Sequence, residues 1–131
     1  YDDGVPATAD YTDYMKVETL VDLCKYTQFA FFEFPDTYFF KTMKDGYPLS
    51  INGKTYMHDK YSVVHLDGPH TTLAVSQQVS FFIRNMEEES LIIIDDHETF
   101  NMSSITWILE KVGFKEIKRG ERKLIFKREK V

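Results

Sequence analysis

Two stretches of the sequence decide the fold: VVHLDGPH at residues 63–70 and LIIIDDH at residues 91–97. Each begins with a continuous apolar run rich in Val and Ile, which is typical of a strand buried on both faces of a parallel sheet. Each then passes directly into carboxylate and imidazole side chains. Ligands of open parallel sheets bind beyond the carboxyl ends of the strands. The site predicted at that edge consists of Asp67, His70, Asp95, Asp96 and His97.

Strand and helix patterns alternate around these two stretches. We expect, in order, a strand at residues 61–66, a helix at 72–85, a strand at 91–94, a helix at 103–112, and strands near 115–118 and 123–127. Gly113 ends the last helix. The order β-α-β-α-β-β predicts an α/β fold whose parallel strands have right-handed crossovers, with an antiparallel pair at the end of the chain.

The first half of the chain has weaker patterns. They predict a helix from Thr12 or Asp13 to Tyr26, a strand at residues 29–34 that stops at Pro35, and a short helix at 37–43. Asn52-Gly53 between two alternating runs indicates a β-hairpin. We expect the strand at 29–34 to pair with the strand at 61–66, or two chains to associate there.

Composition limits the classes of function. A chain of 131 residues suits a single domain spanning residues 1–131, and its net charge of −5 argues against nucleic acid as the main partner. No apolar run approaches the roughly eighteen residues that a membrane span needs, and no signal peptide opens the sequence. The single cysteine, Cys24, favours a reducing compartment. We therefore expect a soluble, cytoplasmic protein.

The second half of the chain resembles the class I S-adenosylmethionine-dependent methyltransferases, and among them the metal-dependent O-methyltransferases of the catechol and macrocin types. The resemblance runs through VHLDGPH at residues 64–70, IIIDD at 92–96 and VGFKEI at 112–117, followed by a terminal hairpin. It implies strands four to seven of a Rossmann-like methyltransferase sheet, mostly parallel with a C-terminal antiparallel hairpin and truncated on its N-terminal side.

The resemblance also implies a site. In these enzymes an Asp that ends the fourth strand and an acidic pair that ends the fifth bind a divalent cation, usually Mg²⁺, which implicates Asp67, Asp95 and Asp96. Three neighbouring carboxylates would in any case repel one another unless a cation neutralised them. Such an ion could hold a substrate hydroxyl and lower its pKa. His70 lies three residues after Asp67, where catechol-type enzymes have a catalytic lysine, and we expect it to act as the general base.

Each of these residues also has an explanation without an ion. Asp67 and Gly68 could form the turn that ends a strand, and Asp96 could cap the following helix. His97 could be an exposed loop residue, and His65 a histidine of the core.

The cofactor half of the predicted site has no sequence support, because no Gly-x-Gly occurs in the chain. We expect either the C-terminal portion of a longer enzyme or a shortened relative. Three functions remain open: a metal-assisted O-methyltransferase of a small hydroxylated molecule or sugar, with S-adenosylmethionine as methyl donor; a catalytically inactive interaction or structural module on the same fold; and a metal-dependent hydrolase. A homo-oligomer could form through the exposed sheet edge or through aromatic residues such as Tyr38-Phe39-Phe40 and Phe81-Phe82.

Overall fold

The computed structural model describes residues 15, 17–19, 21, 22 and 32–130. The chain divides into two compact units, Tyr1–His58 and Asp59–Val131. The sheet that carries the predicted site lies in the second unit, and each unit is described by itself below.

In the first unit, the six described residues between 15 and 22 are helical, as predicted, and the rest of that predicted helix lies outside the described residues. Helix α1 (Asp36–Thr42) confirms the short helix expected after Pro35. Strands β1 (Tyr47–Ile51) and β2 (Lys54–His58) confirm the hairpin, with Asn52 at φ 52° and Gly53 at φ 79° in its turn. Two positive φ angles are what a type I′ turn requires, and the Asn-Gly pair adopts them readily.

The prediction of a strand at residues 29–34 is wrong for its last three residues. Phe32 to Phe34 are not in a strand, and residues 29–31 lie outside the described residues. The rings of this segment pack among other aromatic rings instead: Phe32 lies 5.0 Å from Tyr47 and 5.8 Å from Phe39 between ring centroids. Among residues 32–130, the strand at 61–66 has one sheet neighbour, the strand at 86–94.

The second unit is an α/β arrangement built on a mixed sheet of four strands. Its elements are β3 (Tyr61–Leu66), α2 (Thr72–Phe82), a 3₁₀ turn (Ile83–Asn85), β4 (Met86–Ile94), a 3₁₀ turn (His97–Thr99), α3 (Met102–Lys111), β5 (Lys115–Arg119) and β6 (Leu124–Arg128). The strand order is β3-β4-β6-β5. Strand β3 is parallel to β4, and β6 is antiparallel to both β4 and β5. Three strands therefore run in one direction, and the last strand of the chain lies between two of them in the opposite direction.

One face of this sheet forms the core together with both helices. The alternate strand residues Val64, Leu66, Ile92 and Ile94 are buried, whereas Val63 is 55% exposed on the opposite face. The core cluster consists of Val64, Leu66, Val75, Val79, Met86, Ile92, Ile94, Ile105, Leu109, Phe114, Leu124 and Phe126. Its helices are short, with 11 residues in α2 and 10 in α3. Within the described part of the chain, no helix combines the length and the apolar character needed to cross a membrane.

Strand β4 begins at Met86 rather than at the predicted Leu91, because Met86 pairs with Tyr61 of β3, and Arg128 binds the backbone before the apolar run. The Arg128 guanidinium donates to the carbonyls of Met86 (3.2 Å), Glu87 (2.7 Å) and Glu88 (3.1 Å). The register with β3 shifts in this region, so these carbonyls need partners outside the regular ladder. Glu87, Glu88 and Glu89 carry no hydrophobic signal from which a strand could be predicted.

We predict that Leu109→Ala lowers the free energy of unfolding by about 2–5 kcal/mol, because it opens a cavity in the fully buried part of the core. The matched control is Leu73→Ala, also on a helix but 69% exposed, which is expected to change stability by no more than about 0.5 kcal/mol. Urea denaturation of both variants measures the difference. Equal effects would contradict the burial of α3 against the sheet.

Candidate functional site

Parallel pairing brings the residues that follow β3 and β4 to one edge of the sheet. Leu66 is the register partner of Ile94, and the next backbone N–H, that of Asp95, donates to the Leu66 carbonyl at 2.9 Å. The segments that begin at Asp67 and at Asp95 therefore start side by side. This placement confirms the expectation that the polar residues after both apolar runs share one edge.

The loop after β3 positions His70. The Gln78 side chain, on α2, donates to the Gly68 carbonyl at 2.8 Å, and the Thr71 hydroxyl caps α2 by accepting from the Ala74 N–H. The His70 side chain is 6% exposed. Its Nε2 lies 3.3 Å from Asp96 Oδ2 and 3.8 Å from Asp67 Oδ1. A buried imidazole thus lies between two carboxylates from two different loops.

Asp96 occupies a left-handed backbone conformation, with φ 52° and ψ 42°. Asp tolerates this conformation better than most residues. The Asp96 carbonyl accepts bonds from the N–H and the hydroxyl of Thr99, at 3.0 and 2.8 Å, which hold the turn. Its side chain makes no capping bond, and α3 is capped by Asn101, whose side chain accepts from the Ser103 N–H. Helix capping therefore does not account for the carboxylate of Asp96.

Asp95, the third expected ligand, makes different contacts. Its carboxylate lies 3.4 Å from Lys123 Nζ and shares a hydrogen bond with the carboxyl group of Asp67. Burial raises the pKa of Asp67, and so do the bond to Asp95 and its charge. Burial also acts to raise the pKa of Asp95, but the bond from Asp67 and the charge of Lys123 outweigh it, so that pKa is lowered. The surroundings therefore favour the ionised form of Asp95, beside Lys123, more than that of Asp67.

The donor atoms of Asp67, His70 and Asp96 have a spacing that suits one ion. One atom from each residue lies within 4.8 Å of the other two. Two atoms that bind the same cation at about 2.0–2.6 Å are separated by no more than about 5 Å. These three residues therefore form a possible metal-binding group. The sequence placed Asp67 and Asp96 in this role, whereas it expected His70 to be a base, and that catalytic role stays a prediction.

Two histidines near the site have structural contacts. His97 is buried, and its Nε2–H donates to the Gly120 carbonyl at 3.0 Å, so it is not the exposed loop residue considered above. His65 is exposed on the face of the sheet opposite the core, where Lys123 Nζ lies 3.1 Å from its Nε2. The expectation of a core histidine at position 65 is therefore wrong.

Sequence reasoning missed Lys123. Its contact with Asp95 exists because β6 lies directly beside β4, with Leu124 opposite Ile94. A signal for that placement was present, since β6 contains the apolar run Leu124 to Phe126, whereas β5 has the single apolar residue Ile117. The more apolar strand of a hairpin is the better candidate for the inner position in a sheet.

Comparison of the chain with models of protein families, with curated proteins and with solved structures finds no match. The chemical interpretation of the site therefore depends on its geometry and its donor atoms.

We predict that His97→Ala lowers the free energy of unfolding by about 1–3 kcal/mol, since it removes a buried hydrogen bond between the loop after β4 and the β5–β6 turn. Glu98→Ala, an exposed neighbour in the same 3₁₀ turn, is the control and should change stability by no more than about 0.5 kcal/mol. Thermal and urea denaturation test both. A neutral His97→Ala variant would show that this hydrogen bond does not stabilise the edge of the sheet.

Proposed function

We propose that this chain holds a divalent cation with Asp67, His70 and Asp96, and that it forms the metal and acceptor half of an S-adenosylmethionine-dependent O-methyltransferase. The substrate class is a small hydroxylated molecule or a sugar. The observation that carries the proposal is the meeting of two carboxylates and a buried imidazole beyond the carboxyl ends of two parallel strands.

Charge supports the cation. Asp67 and Asp96 supply two negative charges when ionised, which match one dication. Asp95 is already paired with Lys123 Nζ at 3.4 Å and adds no uncompensated charge. Carboxylates must lose their protons before they bind a metal.

The chemistry expected of the site is activation of a hydroxyl. When bound, a divalent cation supplies Lewis acidity that lowers the pKa of a hydroxyl beside it. Asp67 and Asp96 hold and orient the ion from two loops. Asp95, paired with Lys123, lies beside Asp67 and outside the donor set.

The methyl-transfer part of the proposal comes from the resemblance of residues 64–70, 92–96 and 112–117. Two structural features support it: acidic residues follow both β3 and β4, and the sheet is completed by an antiparallel terminal pair. Fold resemblance alone does not determine a reaction. Binding of the methyl donor is therefore the decisive measurement.

We predict that the metal-stripped chain binds Mn²⁺ or Mg²⁺ in isothermal titration calorimetry, and that Asp96→Ala weakens binding by more than the roughly 10- to 100-fold that loss of an outer neighbour costs. Removing a ligand takes away both a donor atom and half of the compensating charge. Glu98→Ala, which removes an exposed carboxylate two residues away, should bind the ion as the unmodified chain does.

The same titrations with S-adenosylmethionine, with and without the cation, test the methyltransferase. Binding that strengthens with the ion supports it. A second candidate, a catalytically inactive module on this fold, is favoured by the lack of any Gly-x-Gly in the chain. Cation binding without binding of the methyl donor would support that candidate, and the absence of cation binding would contradict the proposed site.

A further inference from the structure

We infer that this site selects a first-row transition-metal dication, such as Mn²⁺, Co²⁺ or Zn²⁺, over Mg²⁺, because His70 Nε2 is one of its ligands. The inference rests on the proposed cation site and concerns which ion that site takes. It differs from the all-carboxylate Mg²⁺ site that the sequence suggested, since Asp95 lies outside the donor set and an imidazole takes its place.

The position of His70 carries the first step. Its Nε2 lies 3.3 Å from Asp96 Oδ2 and 3.8 Å from Asp67 Oδ1, so the imidazole nitrogen and the two carboxylate oxygens converge. The ring is buried, and the loop that carries it is tied to α2 through Gln78 and Thr71. An ion that binds Asp67 and Asp96 together therefore lies within reach of His70 Nε2, without a change in the loop.

The contacts of Asp95 carry the second step. One of its oxygens accepts the Asp96 N–H at 3.1 Å, and the other lies 3.4 Å from Lys123 Nζ. A carboxylate with these two partners would have to give up a charged neighbour to bind the ion. The donor set that remains is two carboxylate oxygens and one imidazole nitrogen.

This donor set decides the ion. Mg²⁺ prefers an octahedron of oxygen ligands and keeps several of its waters. Imidazole nitrogen suits Zn²⁺, Fe²⁺, Ni²⁺ and Cu²⁺, and mixed nitrogen and oxygen sites bind first-row dications more tightly along the series from Mn²⁺ to Cu²⁺. A nitrogen that binds an ion cannot accept a proton at the same time. His70 Nε2 is therefore a ligand in the loaded site rather than its base.

The test is a pair of measurements on the metal-stripped chain. In calorimetry we expect Co²⁺ and Zn²⁺ to bind at least about tenfold more tightly than Mg²⁺. In pulsed electron paramagnetic resonance of the Mn²⁺-loaded chain we expect ¹⁴N coupling from a directly bound imidazole. His70→Asn should remove that coupling, and the control His65→Asn, which changes the exposed histidine beside Lys123, should retain it.

A second variant tests selectivity rather than loss. His70→Asp makes an all-oxygen donor set, so the preference for Co²⁺ over Mg²⁺ should fall by about tenfold or more. Circular dichroism checks that each variant is folded. Mn²⁺ bound without ¹⁴N coupling, or Mg²⁺ bound as tightly as Co²⁺, overturns the inference and leaves the proposed cation site intact. Failure of every dication to bind contradicts both.

Discussion

The parallel register between β3 and β4 is the constraint on which the candidate site depends. It aligns Leu66 with Ile94, so that Asp67 and Asp95 follow at the same level of the sheet. The hydrophobic pattern fixes this register. Side chains alternate between the two faces along a strand. A slip of one residue in β3 would therefore move the exposed side chains of Val63 and His65 into the core in place of Val64 and Leu66. The burial of these apolar residues thus positions charged side chains with which they make no bond.

The same logic explains what the sequence could predict. The segments around the site have clear periods, and the strand at residues 61–66, both helices and the terminal hairpin follow the prediction closely. The meeting of Asp67 with Asp96 needed only the parallel pairing of two apolar runs. The sequence could not say which carboxylate would face which partner. Asp95 and Asp96 are neighbours in the chain, and the left-handed turn at Asp96 separates their side chains into different sets of contacts.

Contacts between distant parts of the chain account for most of what was missed. Lys123 reaches Asp95 because β6 returns to lie between β4 and β5, and a hairpin pattern does not state which of its two strands lies inside. Arg128, on the same strand, binds the carbonyls of Met86 and Glu87, in the part of β4 before Leu91 that the sequence did not predict.

The turn between β5 and β6 connects these contacts into one edge. Its Gly120 carbonyl accepts from the His97 imidazole and its Arg122 carbonyl from the His97 N–H, while Lys123 pairs with Asp95. The loop after β4 is therefore held on both sides of Asp96. The loop after β3 is held separately through Gln78, which bonds to Gly68. Donor atoms fixed by a surrounding shell of hydrogen bonds need little rearrangement to bind an ion. These bonds fix the backbone of the two loops that carry His70 and Asp96.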